Sequence, residues 1–98
     1  MSYLVFCTFD LKNASSKDYE TAYSELKGLG LQKVQKADSG TNVVIPTTSV
    51  MGTVDGTSVG SVRDDICNKI QARFKARGFK TEIFVIVGGN WAWGGRTT

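Results

Sequence analysis

The chain contains no histidine. That excludes Ser-His-Asp and Cys-His nucleophilic designs and every histidine-ligated metal site. It has two cysteines in 98 residues, which points to reduced thiols and not to a disulfide scaffold. No apolar run approaches the roughly 18 residues that a membrane span needs. No basic stretch precedes a cleavable apolar segment at the N-terminus. These features predict a cytoplasmic chain with no membrane contact. Neither sign of charge dominates: 12 Lys plus Arg against 9 Asp plus Glu give +3, enough to tolerate a polyanion without histone-like density. The length leaves room for one domain. Hydrophobic residues at 41% and charged residues at 21% are globular values, which exclude disorder and fibrous repeats. What survives is carboxylate-and-metal chemistry, or no chemistry at all.

The residues present read as alternating strands and helices. Residues 3–9 are aromatic, β-branched and small apolar, ended by Asp10, and predict a central strand apolar on both faces at Leu4, Val5 and Phe6. Ser15 with Asp18 is a capping-box spacing. Tyr19, Ala22, Tyr23 and Leu26 follow at helical intervals, and Gly28 and Gly30 end the pattern. Residues 31–36 alternate with one thin apolar side, and 38–42 form a turn cluster. Residues 43–45 are strand-like, but Pro46 cannot donate to a ladder and marks an edge or an exit. Residues 47–54 return to extended character before Asp55-Gly56 turns the chain.

Ser61 with Asp64 predicts the start of a second helix. Its face is Val62, Ile66, Ile70 and Phe74, and Gly78 sits at the C′ position. Residues 83–87 are five apolar residues in succession, the last strong strand. The expected order is strand, helix, two strands, helix, strand. This is an α+β, ferredoxin-like βαββαβ domain spanning 1–98, with a four-stranded antiparallel sheet, two helices on one face and a Gly/Trp tail over 88–98. Right-handed crossovers would put the first and last strands at the centre. The expected core is Leu4, Phe6, Tyr23, Leu26, Ile66, Ile70, Phe74, Phe84 and Ile86. Such an arrangement leaves one sheet face uncovered, so a homodimer is expected, with Pro46, Trp91 and Trp93 as candidates for its seam.

Asp10 is the sharpest single feature. A carboxylate ending a buried strand suits a Mg²⁺ ligand, because that ion takes one or two carboxylates plus waters and phosphate oxygens. It equally suits a carboxylate accepting backbone N–H bonds from the 13–16 loop. Asp64 and Asp65 point about 100° apart on a helix and read as first-turn partners of its dipole, as do Asp18 and Glu20 on the first helix. The first 49 residues balance five lysines against five acids, so the whole +3 belongs to the second half. Arg63, Lys69, Arg73, Arg77 and Lys80, with Lys75, crowd the second helix and its exit. They form either a phosphate-contacting face or an ordinary solvated one. Trp91 and Trp93 share one side if extended. They could stack on bases or close a core or an oligomer interface. Cys7 and Cys67 read as small core residues.

Phe9-Asp10-Leu11, a polar loop, the stretch Tyr19-Glu20-Thr21-Ala22-Tyr23-Ser24-Glu25-Leu26, Gly30-Leu31 and the Gln32-Lys33-Val34-Gln35 strand resemble a known opening. It is that of virulence-associated protein D and its relatives, the small CRISPR-associated metal-dependent endonucleases that partner the integrase in spacer acquisition. Ser49-Val50-Met51-Gly52 is similar to their next strand, with Met51 where an aromatic is usual. The likeness covers about the first 54 residues by motif and the rest by element order. The resemblance implies a ferredoxin-like homodimer with an RNA or DNA partner. It also implies Asp10 as the Mg²⁺-binding aspartate, one from each subunit, and Ser49 near the substrate backbone. Residues 37–48 look like an insertion between paired strands, and the loop after Asp10 lacks the charged residues common there. A member with the fold and no cleavage activity would instead be a homodimeric interaction or scaffold module that binds protein or nucleic acid.

Overall fold

The computed structural model describes residues 1–97 of the chain, so Thr98, the end of the expected tail, lies outside the described residues. The elements run β1 (Ser2–Leu11), α1 (Ser16–Gly28), β2 (Val34–Lys36), β3 (Asn42–Val44), β4 (Ser49–Asp55), α2 (Val59–Ala76) and β5 (Thr81–Gly88). β1 is the middle of a three-stranded antiparallel sheet of order β4-β1-β5, and β2 and β3 form a separate two-stranded hairpin. Both helices pack on one side of the three-stranded sheet, where Ala22 and Leu26 of α1 join Val62, Ile66, Ile70 and Phe74 of α2 in the core. The fold is therefore a small α+β arrangement.

α1 begins with the expected capping box: the Ser15 amide donates to Asp18 Oδ2 at 3.0 Å, and the Asp18 amide donates to Ser15 Oγ at 3.2 Å. α2 begins one turn earlier than expected. Ser58 is its N-cap, its hydroxyl accepting the Ser61 amide at 3.1 Å, so Asp64 and Asp65 are not first-turn residues. The expected face of α2 is the buried one, and Phe74 is fully covered, its ring 5.6 Å from that of Phe9 and 5.9 Å from that of Phe79.

Three strand expectations are corrected. The first concerns parity. The buried residues of β1 are Tyr3, Val5, Cys7, Phe9 and Leu11, whereas Leu4 and Phe6 lie on the other side and are only half-buried. In β5, Ile83, Val85 and Val87 turn toward the helices, and Phe84 and Ile86 are 61% and 55% exposed. Tyr23 is half-buried because its hydroxyl reaches out to accept the Thr48 amide at 3.0 Å.

The second concerns position: β5 is an edge strand paired to β1 alone, so its apolar run does not reflect burial on both faces.

The third concerns the sheet's size: the structure has three strands plus a hairpin instead of four in one sheet. The segment read as an insertion supplies β3, which pairs with β2 through Val34–Val44, Gln35–Val43 and Lys36–Asn42. Only Gln32 bridges β4, exchanging backbone bonds with Met51 at 3.0 and 2.9 Å. There the Gln35 side-chain amide donates to the Met51 and Gln32 carbonyls at 2.8 and 2.7 Å. The Met51 carbonyl thus accepts both the Gln32 amide and the Gln35 side chain, which braces this isolated bridge. The crossing is close, since a methyl group on Gly52 would lie 2.0 Å from the Gly30 carbonyl oxygen.

Candidate functional site on the open side of the sheet

The even-numbered residues of β1 face away from the helices, and this open side gathers Asp10, Ser49, Pro46, Trp91 and Trp93. Asp10 ends the row, exposed, across from Glu82 of β5. Its carboxylate is not tied to the 13–16 loop, where the Ser15 amide is already taken by Asp18. Instead the Tyr19 hydroxyl lies 3.3 Å from Asp10 Oδ1. That hydroxyl accepts the Leu11 amide at 3.2 Å, and its single proton is divided between Asp10 Oδ1 and the Leu11 carbonyl, which also lies 3.3 Å away. Oδ2 has no hydrogen-bond partner among the described residues. Tyr19 was read only as part of a helix face; nothing in the sequence spacing alone separates its hydroxyl role from its packing role.

Ser49 stands across from Thr8 on the same side, two places from Asp10 along β1. Sheet geometry puts such diagonal neighbours roughly 7–8 Å apart. Ser49 is buried, its hydroxyl donating to the Thr47 carbonyl at 3.3 Å, while Thr8 donates to the Thr48 carbonyl at 3.3 Å. Lys12 pairs with Glu82 at 3.2 Å, and its amide bonds to the Lys80 carbonyl at 2.9 Å, bringing two lysines to the Asp10 end. The oxygen donors there suit a hard cation such as Mg²⁺, but one chain offers a single uncommitted carboxylate. Among the described residues no group of three acidic or thiol side chains assembles as a metal cage.

The other predicted cations are not brought to Asp10. The buried face of α2 meets the sheet, so its charged face points away from the open side. There Arg63 pairs with Asp64 at 2.9 Å and Lys69 with Asp65 at 3.0 Å. Arg73 and Arg77 both hold Glu25 of α1, at 3.2 and 2.8 Å. The hydrogen bond from Arg77, then that from Arg73, keeps the Glu25 carboxyl below its ordinary range, against a burial that works the other way. Four of the five cations predicted to bind nucleic acid are thus engaged with carboxylates, and Lys80 is the fifth.

Pro46 and Trp93 line one hollow of about 770 Å³ over the open side, between β3, the tail and a floor of Phe6 and Met51. The tail lies against the hairpin, with Gly95 so close to Val43 that a methyl group there would sit 2.8 Å from its Cγ1. Trp91 and Trp93 remain 42% and 38% exposed. Cys7 is fully buried, and burial pushes its thiol up to about 12; Cys67, partly buried, is also raised. Both are neutral thiols at physiological pH, in keeping with a packing role.

No family model matches the chain, and no curated protein matches it. Among the described residues no helix is long and apolar enough to cross a membrane.

Proposed function

We propose that the chain is a ferredoxin-like subunit of a cytoplasmic homodimer that acts on nucleic acid as a Mg²⁺-dependent endoribonuclease or nuclease. One observation carries the reading: Asp10 stands next to the last residue of the central strand, exposed, with the Tyr19 hydroxyl 3.3 Å from one carboxylate oxygen and the other oxygen uncommitted among the described residues. The Gln32–Met51 bridge supports the ferredoxin-like assignment, because it sets the segment after α1 beside β4 and so extends the order β4-β1-β5 toward four positions. The exposed Phe84 and Ile86 support a second copy, since apolar side chains of that size on an open sheet face gain most from being covered.

In this reading Asp10 from each copy holds the ion, which when bound neutralises charge on the scissile phosphate and activates water. Tyr19 orients the carboxylate when its hydroxyl proton turns to Oδ1 and away from the Leu11 carbonyl. Lys80 offers a charge to the substrate backbone at the same end of the sheet, and Ser49 lies on the same side, in the role that the resemblance implies. The test is incubation of labelled RNA and DNA with the protein and with Asp10→Asn, with Mg²⁺ or with a chelator. Cleavage that needs both Mg²⁺ and Asp10 is expected. Cleavage that survives Asp10→Asn overturns the assignment, and a monomer mass by light scattering at tens of micromolar overturns the shared site.

A second reading, a non-catalytic scaffold or interaction module, is favoured by the ion pairs of α2, which occupy the cations a nucleic acid would otherwise meet. Salt-sensitive binding without cleavage supports the scaffold form. Neither binding nor cleavage supports docking to a protein.

A further inference from the structure

Two half-exposed tryptophans two residues apart stand at the meeting point of three hollows. After β5 ends at Gly88 the tail carries no helix or strand and crosses the open side. One hollow, of about 420 Å³, lies between both indoles and a wall that includes Leu4, Gln32, Val34 and Thr53. A second, of about 460 Å³, lies between them and Lys36, Asp38 and Arg96. The third, of about 770 Å³, adds the apolar floor of Phe6 and Met51. Trp93 borders all three. A side chain serving only to seal a core would not stay 38% exposed.

The charge beside this patch differs from that on α2. Lys36 and Arg96 make no ion pair among the described residues; Arg96 Nη1 donates to the neighbouring Gly95 carbonyl at 2.8 Å. Asp38 on the same wall opposes an anion, so the two cations leave one net positive charge there. Aromatic faces beside uncommitted cations are the chemistry that takes unpaired bases by stacking and their phosphates by charge. A duplex is a poor fit, because its bases are already stacked on each other and present only their edges.

We propose that Trp91 and Trp93, with Lys36 and Arg96, form a stacking platform for single-stranded nucleic acid on the open side of the sheet. It rests on the reading that the chain acts on nucleic acid, and names the form of the substrate. The platform is distinct from the Asp10 end: Leu4 and Asp10 are six residues apart on β1, about 20 Å. It therefore grips the strand several nucleotides from the reacting phosphate, and needs no metal.

The two tryptophans are the only ones in the sequence, so all indole emission reports on this patch. The experiment titrates the intact protein, in chelator, with a single-stranded oligouridylate or oligothymidylate of roughly 16 nucleotides. Emission is followed for the wild type and the anisotropy of the labelled strand for every variant. Quenching is expected. Trp93→Ala should weaken binding between about 5- and 150-fold, with Trp93→Phe restoring much of it. Arg96→Gln should lower the salt slope by about 0.7, and Lys17→Gln at the start of α1, in the helix layer, should leave affinity unchanged. Circular dichroism confirms that each variant is folded, and Trp93→Phe keeps the test decisive should Trp93→Ala fail to fold. Unquenched emission with bound strand, or equal affinity for duplex, overturns the platform. So does an emission change that follows protein concentration alone, which would assign the patch to a second copy. Metal-dependent cleavage with unchanged affinity in the Trp93 variants would sink the platform and leave the nuclease reading standing. Binding in chelator without any cleavage would do the reverse.

Discussion

The two sides of the β4-β1-β5 sheet are built from the same strands and end in different states. On the helix side, odd-numbered residues of β1 interlock with α1 and α2 until Val5, Cys7, Leu26, Ile70 and Phe74 have almost no contact with water. On the outer surface of that layer four α2 cations are engaged with carboxylates, Glu25 taking two arginines. On the open side, a hairpin and an irregular tail cover β4 and part of β1, while Phe84 and Ile86 on β5 stay bare. The difference sets a packed layer against one that keeps polar and aromatic groups accessible. The helix side has its apolar surface buried and the arginines of α2 engaged. The open side keeps a carboxylate, two indoles and several cations available.

The largest expected effect tests whether stability resides where the packing says. Phe74→Ala should destabilise by about 3–5 kcal/mol, as a buried ring does when its cavity cannot collapse. Phe84→Ala on the open side should cost under about 1 kcal/mol in the monomer. Urea unfolding of both variants measures the contrast. A Phe84→Ala cost that grows with protein concentration would sharpen it, because only a second copy covering that face makes stability depend on concentration. Equal costs at low concentration would break the comparison.

A smaller effect is expected where the hairpin joins the sheet. Gly52→Ala would drive a methyl group against the Gly30 carbonyl, a backbone atom that cannot turn aside. The chain must shift there, at about 1–3 kcal/mol. Gly88→Ala, with nothing within 4 Å of the added carbon, should be close to neutral. Hydrogen exchange at the Gln32 and Met51 amides, which form the bridge, should quicken in Gly52→Ala and stay unchanged in Gly88→Ala. Unchanged protection in both would mean that the crossing is loose.

The helices were legible because their signals are local. The capping box at Ser15 and the four-residue spacing from Val62 to Phe74 each fix a phase by themselves. Strand parity was legible too, but in the polar residues and not in the apolar ones. Leu4, Phe6, Thr8 and Asp10 share a side, and two of those four are polar; Tyr3, Val5, Cys7, Phe9 and Leu11 are apolar throughout. The same test on β5 sets Glu82 with Phe84 and Ile86. Reading continuous hydrophobicity as burial on both faces hid that phase. The parts of the hairpin were legible as a strand over 31–36, a turn over 38–42 and a strand-like 43–45, but their pairing was not: β2 takes β3 as its partner and the chain meets β4 only at the Gln32–Met51 bridge, which no spacing announces. At the candidate site, Asp10 stood out from its place at a strand end, whereas Tyr19 became its partner only through the packing of α1. The cations of α2 were conspicuous as a cluster, and the carboxylates that engage them come partly from another helix.

The smallest expected effect concerns that charge matching. Glu25 has a folded pKa held below its ordinary value of 4.5, first by the Arg77 hydrogen bond. A carboxyl depressed by folding contributes stability that is fully present above its unfolded pKa and is lost as pH falls through its folded one. Glu25→Gln should therefore lower the urea midpoint slightly at neutral pH. The gap from the wild type should close in acid, below the ordinary glutamate range, where Glu25 itself becomes neutral. Salt should shrink the gap at neutral pH, since the arginines are half-exposed and their pairing is screened. A double-mutant cycle with Arg77→Gln separates the pair from each side chain's own packing. A gap that persists unchanged at low pH would assign the role of Glu25 to packing between α1 and α2. The cations of α2 would then be held only loosely and free to turn toward a phosphate, and the contrast between a settled helix side and an available open side would lose its electrostatic half.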